Sequence, residues 1–403
     1  METFRYDILD QYLFLLHVQL MNKIIFKSFI FIFLFFETIS SYKLDQLSLD
    51  EKIGQLIMVA IPTDCDEENF KLVKDVFEKY KPGAAIFLGL GTLKKQNQLI
   101  NELQGKQKIK LIIAKDLEPG FFRFTDLIEF PKNRVLGQVD DNIVFEVAKT
   151  IGIICNLTGI TMNLAPVVDV SCNPQNPVIK MRAFGPDKFV VASKGIAFSK
   201  GLQIQNVISC AKHFPGHGDT EVDSHVDLPI IKHSKSRLED IELYPFREMI
   251  NNGVDSVMVA HLKVLALDQE YPASLSKKII NFLKNDLNFN GLIITDALNM
   301  KGITNNYSQT QAAVKALEAG NDIVLIVGDY KDLYSEILLE IFNAIKHALE
   351  ENLLNINEID NKVEKILKYK NKILENYYCN NLKDEDIKQL NSTISDLNYK
   401  IYT

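Results

Sequence analysis

Cysteine is scarce in this sequence and never paired in spacing. Five cysteines (Cys65, Cys155, Cys172, Cys210 and Cys379) are scattered over 403 residues, odd in number and without a CxxC pair. That pattern offers neither a disulfide framework nor a zinc knuckle, and it reads as small buried apolar side chains. Positive charge is short as well: 45 lysines and arginines against 52 acidic residues leave a net charge of −7. The pI lies near 5.6, and no long block of either sign stands out. A nucleic-acid partner would need a basic surface that this composition does not supply. Histidine is sparse too, seven in all and none in an HExxH pair. What remains is 47% hydrophobic and 24% charged, the balance of a soluble globular chain with a sizeable core, long enough for one large domain or two ordinary ones.

From Met21 the chain reads MNKIIFKSFIFIFLFFETISS: two lysines, an apolar stretch over Phe29–Phe36, then small residues. These are the parts of a secretory signal peptide, and the apolar stretch is too short to span a bilayer comfortably. Met1–Leu20 carries acids and reads as an upstream extension, with Met21 as an alternative start. The expectation is an exported protein, periplasmic or extracellular, that meets the membrane transiently through this segment. A cytoplasmic protein or an uncleaved anchor are the alternatives. Residues 1–41 are therefore set apart from the fold.

Beyond them, short apolar runs alternate with longer helical patterns. The runs are GQLIMVAI (54–61), GAAIFLGL (83–90), IKLIIAKD (109–116), GITMNLAPVVDV (159–170), NVISCAKHF (206–214), DSVMVAHL (255–262), GLIITDAL (291–298) and NDIVLIVGD (321–329). Near-continuous apolarity, rather than alternation, marks strands buried on both faces of a parallel sheet. Between them, ENFKLVKDVFEKY places Phe70, Val73, Val76 and Phe77 on one stripe, and SQTQAAVKALEAG runs from a possible N-cap at Ser308 to a C-cap at Gly320. Eight such alternations predict an α/β fold, a (β/α)8 barrel, with a doubly wound open sheet as the weaker alternative. After Gly328 the chain turns helical and lysine-rich without a second set of strands. The expected organisation is an N-terminal extension (1–41), one barrel domain with closing helices (42–375) and a C-terminal tail (376–403).

Ionisable residues close the apolar runs: Asp116, Asp169, Lys212 with His213, His261, Asp296 and Asp329. Barrel enzymes build their sites at the C-terminal strand ends from several strands at once, and packing alone explains so many charges poorly, because an unpaired buried charge is costly. Asp329 could equally be half of a structural ion pair. The stretch KHFPGHGDTEVDSH (212–225) gathers His213, His217 and His225. His213 and His217 are four apart, but Pro215 and Gly216 intervene, so the two do not share a helical face as a metal pair would. Proton transfer fits better. Asp223 and His225 are two apart and point the same way in an extended segment, where a carboxylate fixes the tautomer of an imidazole and raises its pKa toward that of a general acid/base. With Asp296 on a rigid strand end as nucleophile, the set suggests a retaining glycosidase with histidine in place of the second carboxyl group.

These segments resemble family 3 glycoside hydrolases of the β-N-acetylhexosaminidase branch over nearly all of residues 47–330. The likeness is carried by EKIGQLIMV, MNLAPVVDV, NPVIKMRAFG, KHFPGHGDTEVDSHVDLP, MVAHL, PASLSKKII, GLIITDALNMKGI and AAVKALEAGNDIVL. It implies Asp296 as nucleophile, His225 as general acid/base and Asp223 as its orienting partner. It also implies Asp116, Arg182, Lys212 and His213 as sugar-binding residues; for Asp169 the stronger reading is structural, a side chain that holds the Arg182 loop in place. Two departures bear on the sugar pocket. The family's DQEGGRVQR is here DLEPGFFRF (116–124), which keeps Asp116, Glu118 and Gly120 but puts phenylalanine at the first arginine position, so that Arg123 stands in for the second only after a one-residue shift. KMRAFG stands where Gly-Asp commonly precedes the arginine.

The activity implied is exo-acting hydrolysis of terminal β-linked GlcNAc from peptidoglycan fragments or chitin-type oligosaccharides, through a glycosyl-aspartate intermediate. The substrate partner is a small carbohydrate, the chain is expected to act as a monomer, and the chemistry asks for no metal and no organic cofactor. Phosphorolysis is a variant of the same chemistry, since a histidine acid/base repels an anionic acceptor less than a carboxylate does. A β-glucosidase or xylosidase on the same barrel, and a carbohydrate-binding protein with impaired turnover, are the competing readings.

Overall fold

The computed structural model describes residues 42–221, 223–224, 226–329, 332–374 and 381–403. The leader-like segment 1–41 lies outside the described residues, as does His225. Among the described residues no helix is long and apolar enough to cross a membrane.

Each of the eight apolar runs contributes one strand: Ile57–Pro62, Ala84–Leu88, Ile112–Lys115, Met162–Asn163, Ile208–Phe214, Ser256–Val259, Leu292–Ala297 and Ile323–Ile326. They pair in parallel and in chain order, and the eighth closes on the first. Met58 sits opposite both Ala84 and Leu325, so the sheet has no edge and the doubly wound alternative falls away. The strands are buried because the sheet is covered outside by helices and filled inside by its own side chains; Ile57, Val59, Ile112, Ile113, Leu292 and Val324 are all fully excluded from solvent.

The fourth strand is short because the chain past it is irregular. Pro166 lacks a ladder donor, and beyond Asn163 the segment bonds to the fifth strand through Cys210 N to Ala165 O (2.8 Å), Lys212 N to Pro166 O (3.1 Å) and Val168 N to Lys212 O (2.8 Å). Those bonds carry Asp169 up beside His213.

The helices follow their patterns. Helix Glu67–Tyr80 buries Phe70, Val73, Val76 and Phe77. Helix Gln309–Ala319 begins in a capping box between Ser308 and Gln311 and ends at Gly320, in the left-handed conformation at φ 113°. Helix Ile356–Leu374 closes the barrel end opposite the strand C-termini. Its lysines reach polar groups there: Lys362 donates to Asn321 O (2.8 Å), Lys365 pairs with Asp322 (3.0 Å), and Lys370 donates to Gln55 Oε1 (2.6 Å). The segment set apart as a tail carries a further helix, Asp384–Tyr402. Its stripe Leu390, Ile394, Leu397 and Ile401 is buried, and Asn391 and Asn398 donate to Asp126 O and Glu129 O. Residues Lys43–Thr403 form one compact unit.

Candidate active site

Five groups from three strand ends converge on one hydrogen-bonded cluster. Asp116 and Glu118 lie just past the third strand, in a loop pinned by buried Asn163, which accepts from Leu117 N (2.9 Å) and donates to Leu117 O (3.2 Å). Lys212, on the fifth strand, donates to Asp116 Oδ1 (2.6 Å) and lies 2.7 Å from Glu118 Oε1. Arg182 grips Glu118 with two parallel bonds, Nε to Oε2 (2.9 Å) and Nη2 to Oε1 (2.7 Å), and its Nη2 donates to His213 Nε2 (3.3 Å). Asn133 holds the arginine backbone through Nδ2 to Arg182 O (2.7 Å).

The electrostatics are those of a desolvated ion cluster. Burial would raise the pKa of Glu118, but Arg182 and Lys212 outweigh it and hold the carboxyl well below its usual range. Burial likewise works against the charged form of Lys212, yet Asp116 and Glu118 override it and push the ammonium pKa up. Both groups therefore stay charged across ordinary pH. Lys212 is 2% exposed and Asp116 37%, so the cluster presents a carboxylate to the barrel mouth above a buried cation.

The histidines of the 212–225 stretch separate into different tasks. His213 donates from Nδ1 to Asp169 Oδ2 (2.7 Å), which leaves Nε2 to accept from Arg182. Asp169 was expected to hold the Arg182 loop. Instead its fully buried carboxylate takes His213 Nδ1 on one oxygen and the backbone N–H of His217 (2.7 Å) on the other. The fourth-strand irregularity brings it to the histidines, and His213 links it on to Arg182, whose charged form its field also favours. His217 is 2% exposed, bonded through Nδ1 to Thr220 Oγ1 (2.9 Å) and through Nε2 to Ser224 Oγ (3.1 Å), so it ties the loop together from inside. Burial and then the neighbouring His213 lower its pKa. Gly218 is required by close approach, since a Cβ there would meet Val170 O at 1.8 Å. Asp223 accepts at its backbone carbonyl from Val226 N (2.9 Å) and Asp227 N (3.1 Å).

Asp296 sits near the end of the seventh strand, half-buried, with Oδ1 accepting from Ala297 N (2.8 Å). Its pKa is lowered: burial opposes ionisation, but the fields of His261 and His213, the Ala297 bond and Lys212 prevail. His261, past the sixth strand, is fully buried and donates from Nε2 to Ala297 O (2.9 Å), with Ser274 on its Nδ1 (2.7 Å). A carboxylate kept ionised and restrained at a strand end is chemically a nucleophile or an electrostatic stabiliser of positive charge at carbon.

Arg123 is not brought to the cluster. Phe122 and Phe124 are buried on either side of it, its φ is +60°, and the side chain points to solvent. The nearby buried cation is Lys115, which donates to Thr63 Oγ1 (2.9 Å) beneath the Phe124 ring and is lowered by burial to about 8. Glu118, the hub of the cluster, was given no role from the sequence, although DLEPGFFRF keeps it two residues after Asp116. Asp329 is exposed and makes no ion pair among the described residues. Asp219, His233 and Glu242 bring possible metal-ligand atoms within 4.8 Å of one another, but Arg237 already pairs with Glu242 (2.6 Å) and lies 3.8 Å from Asp219. A guanidinium thus supplies the positive charge there.

Comparison with known proteins is consistent with this arrangement. Residues 48–369 match the family described as glycosyl hydrolase family 3 N terminal domain. A β-hexosaminidase A from Pseudoalteromonas piscicida is 34% identical over 291 residues, 67% of this chain and 49% of the relative, so the chain spans about half of that protein's length. Among solved structures, a glycoside hydrolase family 3 β-N-acetylglucosaminidase from Paenibacillus sp. superposes with a TM-score of 0.78 at 32% identity, covering 87% of this chain and 69% of the other. A β-glucoside phosphorylase superposes with a TM-score of 0.80 at 25% identity, covering 89% and 65%.

Proposed function

This chain belongs to glycosyl hydrolase family 3, and from that premise we propose that it is a retaining β-N-acetylhexosaminidase acting on terminal β-linked GlcNAc. The observation that carries the reading is the restrained, ionised Asp296 at a barrel mouth whose other strand ends supply Asp116, Lys212, Arg182 and His213. Asp296 attacks the anomeric carbon while His225 gives its proton to the departing oxygen. Water then adds to the same carbon, its proton passes to His225, and Asp296 is released. Asp223 orients His225. Asp116 takes a pair of sugar hydroxyls, and Lys212, Arg182 and His213 supply donors around it. The small glycan substrates, the release of free sugar and an exported location suggested by the leader-like run at Met21 are part of the same reading.

The test is a panel of nitrophenyl glycosides assayed with and without phosphate. Cleavage of the β-GlcNAc member well above the β-glucoside and β-xyloside, at a rate indifferent to phosphate, is the expected result. A preferred β-glucoside overturns the substrate reading. Phosphate-dependent release of a sugar phosphate favours phosphorolysis, which the likeness to a β-glucoside phosphorylase keeps as the second reading.

A further inference from the structure

The helix Asp384–Tyr402 lies beyond residues 48–369, the part of the chain that matches the family, so the family's machinery does not account for it. Its buried apolar stripe seats it against helix Asp141–Thr158, and Lys94 pairs with Asp384 at its start. Two asparagines, two turns apart and so on one face, do more than seat it. Asn391 accepts from Ile128 N through Oδ1 (2.7 Å) and donates from Nδ2 to Asp126 O (3.0 Å). Asn398 donates from Nδ2 to Glu129 O (2.9 Å). Backbone groups of an irregular segment are thus satisfied by side chains 263–269 residues further along the chain.

The segment held this way leads straight to the sugar cluster. Only Phe130, Pro131 and Lys132 separate Glu129 from Asn133, whose Nδ2 donates to Arg182 O (2.7 Å). That link is stiff. The proline ring fixes its own φ and disfavours the helical region for Phe130. Both residues are buried, and Phe130 meets Phe122 edge-on at 5.6 Å. Past Asn133 the contact with the arginine loop continues, since a Cβ at Gly137 would lie 1.8 Å from Phe184 O. Glu118 and His213 hold the guanidinium, whereas Asn133 and the turn back to Ile179 O hold the backbone that carries it. A shift at the C-terminal helix therefore reaches Arg182 through close-packed groups with little slack.

We propose that Asn391 and Asn398 are positioning residues for the sugar pocket: through the segment Asp126–Asn133 they set where the Arg182 guanidinium stands when a sugar binds. The proposal rests on the reading in which Arg182 donates to sugar hydroxyls. An arginine that touches the bound sugar and the transition state alike should, when displaced, weaken binding more than turnover.

The test is the double variant Asn391→Ala, Asn398→Ala in the full chain. It is assayed on nitrophenyl β-GlcNAc and by scanning calorimetry, with amide hydrogen exchange measured on the ligand-free protein. The expected result is a KM raised about five- to tenfold with kcat within about twofold of wild type. Amides in 126–133 and 179–184 should exchange faster than in wild type. Two comparison variants separate positioning from stability. Val363→Ala, a buried position of helix Ile356–Leu374 at the other end of the barrel, lowers Tm and should leave both constants unchanged. Tyr399→Ala, exposed on the C-terminal helix itself, should change nothing. An unchanged KM in the double variant, or a loss that falls on kcat and is matched by Val363→Ala, overturns the proposal. Exchange separates this failure from that of the hydrolase reading. If the wild-type protein leaves nitrophenyl β-GlcNAc uncleaved, the hydrolase reading falls. Faster exchange at 179–184 then still upholds the link from helix to arginine, and unchanged exchange there overturns it.

Discussion

Replacing Glu118 with glutamine tests the cluster at its centre. The side chain is almost wholly buried and serves three donors, Arg182 Nε, Arg182 Nη2 and Lys212 Nζ. Glutamine keeps the shape and one carbonyl acceptor but loses the charge, and it turns an NH₂ toward groups that can only donate. Removing one partner of a buried ion pair costs about 3–5 kcal/mol, and the surviving acceptor argues for the lower end, about 3. Unfolding entropy of about 2.1 cal/mol/K per residue gives about 0.75 kcal/mol/K for a unit of this length, so Tm should drop by about 4 °C. The effect carries a pH signature. The carboxyl of Glu118 has its pKa held below the usual 4.5 in the folded state. Its contribution is therefore fully present above 4.5 and lost as pH falls toward the folded value. The gap in Tm between wild type and variant should be flat from pH 8 to 5 and shrink below about 4.5. Loosening Arg182 and Lys212 should also cut kcat/KM by about tenfold or more. The assay is scanning calorimetry across pH alongside nitrophenyl β-GlcNAc kinetics. A Tm within about 1 °C of wild type, or a gap as large at pH 3.5 as at pH 7, refutes the account of the cluster.

Three further outcomes are expected. Asp296→Asn should lower kcat by about 10³-fold or more with substrate binding largely kept; near-normal turnover would remove Asp296 from the nucleophile's role. His225→Ala should cost more on a disaccharide than on an aryl glycoside, whose leaving group needs little protonation, while His217→Ala, which loses its bonds to Thr220 and Ser224, should reduce both similarly. Equal losses for His225→Ala on both substrates would sink its assignment. Lys370 is lowered by burial to about 7, so between about pH 7 and its usual 10.5 the unfolded chain binds the extra proton and stability rises with pH, by up to about 1.4 kcal/mol per unit. Lys370→Met should flatten the urea-derived stability profile between pH 7 and 9.5, and an unchanged slope would contradict the buried neutral amine.

The barrel was legible because its information is local. Eight near-continuous apolar runs without alternation, such as GLIITDAL, mark strands covered on both faces, and the caps at Ser308 and Gly320 mark a helix by residue type alone. Asp296, Asp116 and the Lys212–His213 pair were legible for the same reason, each being an ionisable group at the end of an apolar run. Partnership was not legible, because it is set by closure of the barrel. Arg182 meets Glu118 across 64 residues and Lys212 meets Asp116 across 96, and no pattern in either segment names the other. Closure made Glu118 a hub, set Asp169 on His213 and His217, and left Arg123 in solvent between two buried phenylalanines. Closure also set the place of the C-terminal lysines: Lys362 and Lys370 are buried beneath the strands with their pKa values lowered to about 8 and about 7. Residue type and spacing determined where strands, helices and ionisable strand ends lie. Which charges share a desolvated space, and so which remain ionised, was decided only when the eighth strand closed on the first.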